Sequence, residues 1–292
     1  DADGPAGITA RVSAQSDSTR GLGYPSEIVI AASWNTEMAK LAAEGLGAEA
    51  RDLGVDGWYA PSMNMHRSAF AGRNFEYYSE DPVLSAAMAA AECEGIYEYN
   101  LYPFIKHFAL NDQEINRNGM LCTWTTEQAM REIYLKPFER CIKESGSNPI
   151  TVMSSYNYIG TTWAGANPEL LNTVLRDEWG FRGMVLTDYF GNYGYMDADK
   201  AVRGGSDIML ATAGNDAIMT DTTSATSVLA MRQACKNIMY TMVNSYTYET
   251  YDPSAVSGWV LTFYIVDGIG VAALLAAEAA LIVSFRKKKQ EA

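Results

Sequence analysis

Asp188 closes the run Gly183-Met184-Val185-Leu186-Thr187-Asp188-Tyr189, in which apolar residues deliver one carboxylate to the end of an expected strand. Two more polar clusters lie upstream, Gly72-Arg73-Asn74-Phe75-Glu76 and Lys106-His107-Phe108. A carboxylate ringed by Arg, Lys and His stays ionised at neutral pH and can act as a nucleophile. Taken singly, each residue has a plainer use. An Asp after a strand caps the next helix, Arg73 suits a surface ion pair, and His107 suits a satisfied core position. Taken together they form a set that holds sugar hydroxyls and lowers the pKa of a carboxylate.

Residues so far apart meet only if the chain gathers strand ends on one face, as a barrel of alternating strands and helices does. From Ile28 to about Asn244 short apolar runs alternate with helix-patterned segments, the signature of an α/β fold with a parallel sheet. Strands are expected at Ile28–Ala32, Val55–Ala60, Phe104–Ala109, Ile150–Ser155, Met184–Asp188 and Ser206–Leu210, with another just ahead of Asp3. Asp81-Pro82 and Asn167-Pro168 each set a capping residue before a proline at the first helical position. Thr125-Thr126-Glu127-Gln128 reads as a capping box, and Gly54 and Gly180 stand where helices begun near Asn35 and Pro168 should end.

The 22 basic and 35 acidic residues among 292 leave a formal charge of −13, which argues against a nucleic-acid partner. Apolar content of 48% supports a substantial core. The four cysteines (Cys93, Cys122, Cys141, Cys235) form no CxxC pair, and with two histidines a metal site is not expected. The C-terminus differs in kind. Trp259 to Phe285 is a mostly apolar stretch of bilayer-spanning length, followed at once by Arg286-Lys287-Lys288-Lys289. The positive-inside rule then places the basic tail in the cytoplasm and everything before Trp259 outside the cell membrane. Asp267 and Glu278 oppose this reading, at roughly 2.5–3.5 kcal/mol each at mid-bilayer. The alternative is a buried amphipathic helix. The chain opens Asp1-Ala2-Asp3-Gly4-Pro5 without Met, which reads as a piece of a longer exported protein.

Five motifs in order resemble glycoside hydrolase family 3: Asp3-Gly4-Pro5, Gly72-Arg73-Asn74-Phe75-Glu76 with Ser79-Glu80-Asp81-Pro82, Lys106-His107-Phe108 through Glu114, Val152-Met153-Ser154-Ser155-Tyr156-Asn157, and Leu186-Thr187-Asp188-Tyr189. The resemblance implies a (β/α)8-type (TIM-like) barrel, here N-terminally truncated, over residues 1–245. A linker (246–258), one C-terminal transmembrane helix (259–285) and a basic tail (286–292) complete the expected organisation. It also implies retaining hydrolysis of terminal β-glycosidic bonds, most simply β-glucosides, through a covalent glycosyl-enzyme, with no cofactor. Asp188 matches the nucleophile. Asp3 matches the carboxylate that accepts from the distal hydroxyls, and Arg73, Lys106 and His107 match the residues gripping the others. Tyr156 matches a tyrosine beside the nucleophile, Met153 a pocket wall, and Arg67 is expected nearby.

Two departures from the family pattern matter. Tyr189 stands where many members carry Trp, a change that preserves an aromatic platform. A retaining mechanism also needs a second carboxyl as acid/base. The segment Ala109-Leu110-Asn111-Asp112-Gln113-Glu114 follows the glucosidase branch, in which that group comes from another domain. The expected partners are therefore a β-linked oligosaccharide or glucoside, the lipid bilayer, and an acid/base-bearing domain of the same protein outside this chain. Glu76, Glu80 and Glu114 are the acids available within it. A non-catalytic carbohydrate-binding surface protein and a β-xylosidase remain as alternatives.

Overall fold

The computed structural model describes residues 2–8, 21–191, 193–212, 217–249, 252, 254, 256 and 258–290. The chain divides into two compact units, residues 1–249 and 250–292. In the first, β1 (Ala2–Asp3), β2 (Gly57–Tyr59), β3 (Tyr102–Phe108), β4 (Thr151–Ser154) and β5 (Val185–Leu186) form one sheet in that order. Every pairing is parallel, with Asp3 opposite Tyr59, Ile105 opposite Val152 and Met153 opposite Leu186. The carboxyl ends of all five strands therefore lie along one edge, which is where the polar clusters fall.

Strand β1 carries Asp3, so the strand expected ahead of that residue includes it. The barrel is not closed among the described residues: β1 and β5 are edges, and beyond β5 lies a single bridge between Leu186 and Ile208. The strand expected at Ser206–Leu210 is thus reduced to one bridge. Ile28–Ala32 is not a strand but lies within helix α1 (Glu27–Ala32). A short apolar run is ambiguous by period alone. Here Ile30 and Ala31 are buried while Ile28 and Val29 face outward, a helical rather than an alternating split.

Helices α2 (Thr36–Asp52), α3 (Pro82–Tyr97), α4 (Lys136–Glu144) and α5 (Glu169–Glu178) follow the strands. Side chains cap the starts of α2, α3 and α5, whereas α4 begins after Leu135 without one. Asn35 accepts from the Glu37 N–H at 2.9 Å, Asp81 from the Val83 N–H at 2.7 Å, and Asn167 from the Leu170 N–H at 3.2 Å. Thr126 accepts from the Ala129 N–H, and because residue 129 is alanine the reciprocal half of the expected capping box is missing. Gly180 ends α5 at φ 75°, a conformation that favours glycine.

One face of the sheet packs on these helices through Ile105, Phe108, Val152 and Val185, with Phe108 edge-on to Phe138 at 5.1 Å and to Trp179 at 5.9 Å. The other face carries Tyr102, Phe104, Met153, Met184 and Leu186, against which Ile238 of α7 (Ala225–Val243) packs. Helix α6 (Ala198–Gly204) precedes α7, and α8 (Tyr246–Glu249) ends the first unit, with the Arg51 guanidinium 3.2 Å from the Tyr246 ring. The second unit holds one helix, α9 (Gly258–Gln290). Its stretch Gly258–Arg286 is apolar enough and long enough to cross a bilayer, with a mean hydropathy of 2.1 over its best window.

Candidate active site

Asp188 lies two residues past β5, and its own N–H continues the sheet by donating to the Ser154 carbonyl at 3.1 Å. Its carboxylate is buried. Oδ1 accepts from the Tyr189 N–H at 2.7 Å, while Oδ2 accepts from Arg117 Nη1 at 3.0 Å and lies 3.8 Å from His107 Nε2. Burial pushes the Asp188 carboxyl above its usual 3.8, against the opposing pull of Arg117, Arg73, the Tyr189 N–H and Lys106. The sequence led us to expect a net lowering by cations. The cations are there, but desolvation outweighs them.

Lys106 and His107 end β3, where the Lys106–His107 peptide is cis. The side chain of Asn64 clamps the His107 peptide from both sides, donating to its carbonyl at 3.0 Å and accepting from its N–H at 2.9 Å. Burial, then the charges of Arg73, Lys106 and Arg117, hold His107 well below the ordinary imidazole range. It therefore meets Asp188 as a neutral ring rather than as an ion-pair partner. Glu76 is the buried counter-ion of the cations. One oxygen takes the Arg73 Nε; the other accepts from the Ser62 hydroxyl at 3.1 Å and lies 3.7 Å from Lys106 Nζ. Arg73 Nη1 is buried without a hydrogen-bond partner, 3.7 Å from Glu114 Oε2. A buried unmet donor at this point is what an incoming hydroxyl oxygen would satisfy.

The structure thus brings Asp188, Arg73, Lys106 and His107 together and adds Arg117, which sequence reasoning missed. Arg117 is fixed by Glu114 Oε2 at 2.7 Å and lies over the Tyr156 ring at 4.5 Å. Its only signal in the sequence is the i, i+3 spacing from Glu114. Tyr156 is buried in an aromatic group with Tyr193 and Trp163; burial, and then the Asp188 charge, raise its phenol. Tyr189 is partly exposed and shares a hydrogen bond with Thr212 at 2.9 Å. Met153 lies in the core layer across from Leu186. The Asp3 backbone pairs in β1, and its side chain lies outside the described residues. Arg67 is not among the groups around Asp188: it is exposed and bonds the Tyr134 hydroxyl.

The structure is an α/β fold with a parallel sheet, at whose carboxyl edge a buried carboxylate meets three cations. Residues 7–245 match the Glycosyl hydrolase family 3 N terminal domain, and the chain belongs to that family. It is 44% identical over 170 residues to a β-glucosidase of Rhizobium radiobacter, covering 58% of this chain and 20% of that protein. To β-glucosidase A of Butyrivibrio fibrisolvens it is 38% identical over 208 residues, covering 71% of this chain and 24% of the relative. The chain therefore spans about a fifth to a quarter of the length of these relatives. The structure of β-glucosidase 3B from Thermotoga neapolitana in complex with glucose superposes with a TM-score of 0.74 at 34% identity, over 86% of this chain and 36% of that one. A β-glucosidase from Paenibacillus barengoltzii gives 0.75 at 30% identity, over 88% and 28%.

Proposed function

We propose that this chain carries the nucleophile half of a retaining β-glycosidase site that acts on β-glucosides. The observation that carries the reading is Asp188 itself: buried, held on Oδ2 by Arg117 at 3.0 Å and on Oδ1 by a backbone N–H at 2.7 Å. In the first step an Asp188 oxygen bonds to the anomeric carbon as the bond to the leaving oxygen breaks. That oxygen takes a proton from an acid. In the second step water, deprotonated by the same group, releases the sugar and restores the carboxylate. Arg73 and Lys106 supply donors to the sugar oxygens, and Asp3 the acceptor for the distal hydroxyls. The names of the relatives favour glucosides over xylosides.

The acid/base belongs to a domain outside this chain. Both Glu76 oxygens are engaged by Arg73, Ser62 and Lys106, and Glu114 is engaged by Arg117. The catalytic unit is displayed outside the cell, with α9 as its membrane anchor and the basic tail inside; the apolar run from Gly258 to Arg286 supports this placement. An activated 2-fluoro-β-glucoside tests the chemistry, because its leaving group needs little acid help. A covalent adduct mapped to Asp188 is the expected result. Tight glucose binding without any adduct would favour a carbohydrate-binding protein instead.

A further inference from the structure

Helix α1 opens with a carboxyl that the proposed chemistry does not use. Glu27 is fully buried, and both its oxygens accept from the Ser62 N–H, at 2.9 and 3.1 Å. Ser62 lies past the end of β2, in a parallel bridge with Lys106. The Lys106 N–H donates to the Pro61 carbonyl at 3.0 Å, and the Lys106 carbonyl accepts from the Met63 N–H at 2.8 Å. The neighbours of Ser62 thus take both backbone groups of Lys106, and the Ser62 N–H is left over from that pairing. Strand β1 ends at Asp3, opposite Tyr59, so the Glu27 carboxyl supplies the acceptor that a longer neighbouring strand would have offered.

The hydroxyl of the same serine carries the link to the cations. It donates at 3.1 Å to Glu76 Oε2, the oxygen that lies 3.7 Å from Lys106 Nζ, while the other Glu76 oxygen takes the Arg73 Nε. Ser62 therefore fixes Lys106 twice, at its backbone and through its counter-ion. Glu27, Ser62, Glu76 and Lys106 are all buried, so displacing one of them leaves a polar group of the next unmet. Burial, and then the neighbouring Glu92 of α3, raise the Glu27 carboxyl well above its usual range. Its neutral form is thereby favoured, and an amide in its place would be a close mimic.

We infer that Glu27 is a positioning residue for the sugar-binding cations: through Ser62 and Glu76 it holds Lys106 and Arg73 where they meet the sugar oxygens. This rests on the reading of those two cations as donors to the sugar, and the test separates the two. Trapping by an activated 2-fluoro-β-glucoside is resolved into the affinity for the reagent and the labelling rate at saturation. The full chain is compared with Glu27→Leu, Glu27→Gln, Ser62→Ala, Glu27→Leu combined with Ser62→Ala, and Lys106→Met, and urea unfolding of each checks the fold. Glu27→Leu should weaken affinity about tenfold, the scale of one buried hydrogen bond, and Glu27→Gln should restore most of it, since the amide oxygen still accepts from the Ser62 N–H. Asp188 is held by Arg117 and the Tyr189 N–H, outside this chain of contacts, so the saturated rate should change less. Ser62→Ala keeps the N–H that Glu27 accepts and should weaken affinity too; it carries the test if Glu27→Leu does not fold. The double variant should be no weaker than the weaker single one, because both changes cut one path. Normal affinity in Glu27→Leu and Ser62→Ala beside a weakened Lys106→Met, additive losses in the double variant, or Glu27→Gln as weak as Glu27→Leu overturns the positioning role and leaves the sugar reading in place. Unchanged affinity in Lys106→Met, or no labelling of the unaltered chain, overturns both.

Discussion

Replacing Arg117 with methionine keeps an unbranched, uncharged stem, shortens the side chain and removes the charge that lies 3.0 Å from Asp188 Oδ2. At an effective dielectric near 20, such a contact is worth roughly 5 kcal/mol, and breaking one side of a buried pair costs about 3–5 kcal/mol. Arg73 and Lys106 also pull on Asp188 and remain after the change, and water will enter the vacated space. Discounting by about half leaves roughly 2 kcal/mol, or about 1.5 pH units. The sign is fixed by the direction of each effect. Asp188 already titrates above its usual 3.8 because burial favours the neutral acid, and Arg117 opposes burial. Its loss raises the carboxyl further, so the reactive carboxylate disappears at a higher pH as the solution is acidified. The assay is the rate of covalent trapping by an activated 2-fluoro-glucoside across pH 4–9. Arg117→Met should move the acid limb upward by about one to two units, and Arg117→Lys should recover part of the shift. A folded Arg117→Met protein with an unmoved acid limb would refute the electrostatic role given to this residue.

Other consequences follow from the same contacts. Asn64→Leu leaves the buried N–H and C=O of His107 unmet, which should cost about 2–4 kcal/mol in urea unfolding and slow trapping with it. Phe138→Ala opens a hole beside Phe108 and should cost about 3–5 kcal/mol in the same measurement. Glu92 is buried, and burial raises its carboxyl to about 8. Stability from such a group is fully present below its unfolded value and falls as pH rises through about 8. Glu92→Gln should therefore flatten the loss of melting temperature between about pH 5 and 8, and an unchanged profile would count against a buried proton there. Glu114→Gln should slow aryl glucosides of good and poor leaving groups alike; a selective loss for poor leaving groups, restored by azide, would instead make Glu114 the acid.

Much of the site was legible because its residues follow apolar runs. Lys106, His107 and Asp188 each come at the end of an apolar run that reads as a buried strand, and a parallel sheet puts such ends on one edge. Arg117 has no such address. It stands in a polar stretch from Asn111 to Met120, outside any strand, and is placed by Glu114 and by the Tyr156 ring. Helix α1 was misread because Ile28-Val29-Ile30 is a β-branched run. What decides its state is tertiary: Glu27, fully buried, accepts from the Ser62 N–H at 2.9 Å. Arg67, expected near Asp188, bonds the Tyr134 hydroxyl instead; a long side chain chooses among the partners within its reach.

The charge arrangement explains why a carboxylate lifted by burial can still serve. Asp188 and Glu76, both buried, face Arg73, Lys106 and Arg117, and the partly exposed Glu114 also holds Arg117, so three cations meet three carboxylates. Without the cations desolvation would leave Asp188 as the neutral acid; a positive excess would hold it as a stable, poorly nucleophilic anion. In the proposed mechanism a glycosyl ester would neutralise Asp188 and leave three cations facing two carboxylates, which would favour return of the carboxylate in the second step. Two of the cations are tied to Glu76, which anchors them while Nη1 of Arg73 stays unmatched. Donor-only groups held in this way bind hydroxyl oxygens through directed hydrogen bonds. Such bonds can strengthen as the ring flattens toward the transition state, so in the proposed mechanism Arg73 and Lys106 would both pull on Asp188 and hold the sugar.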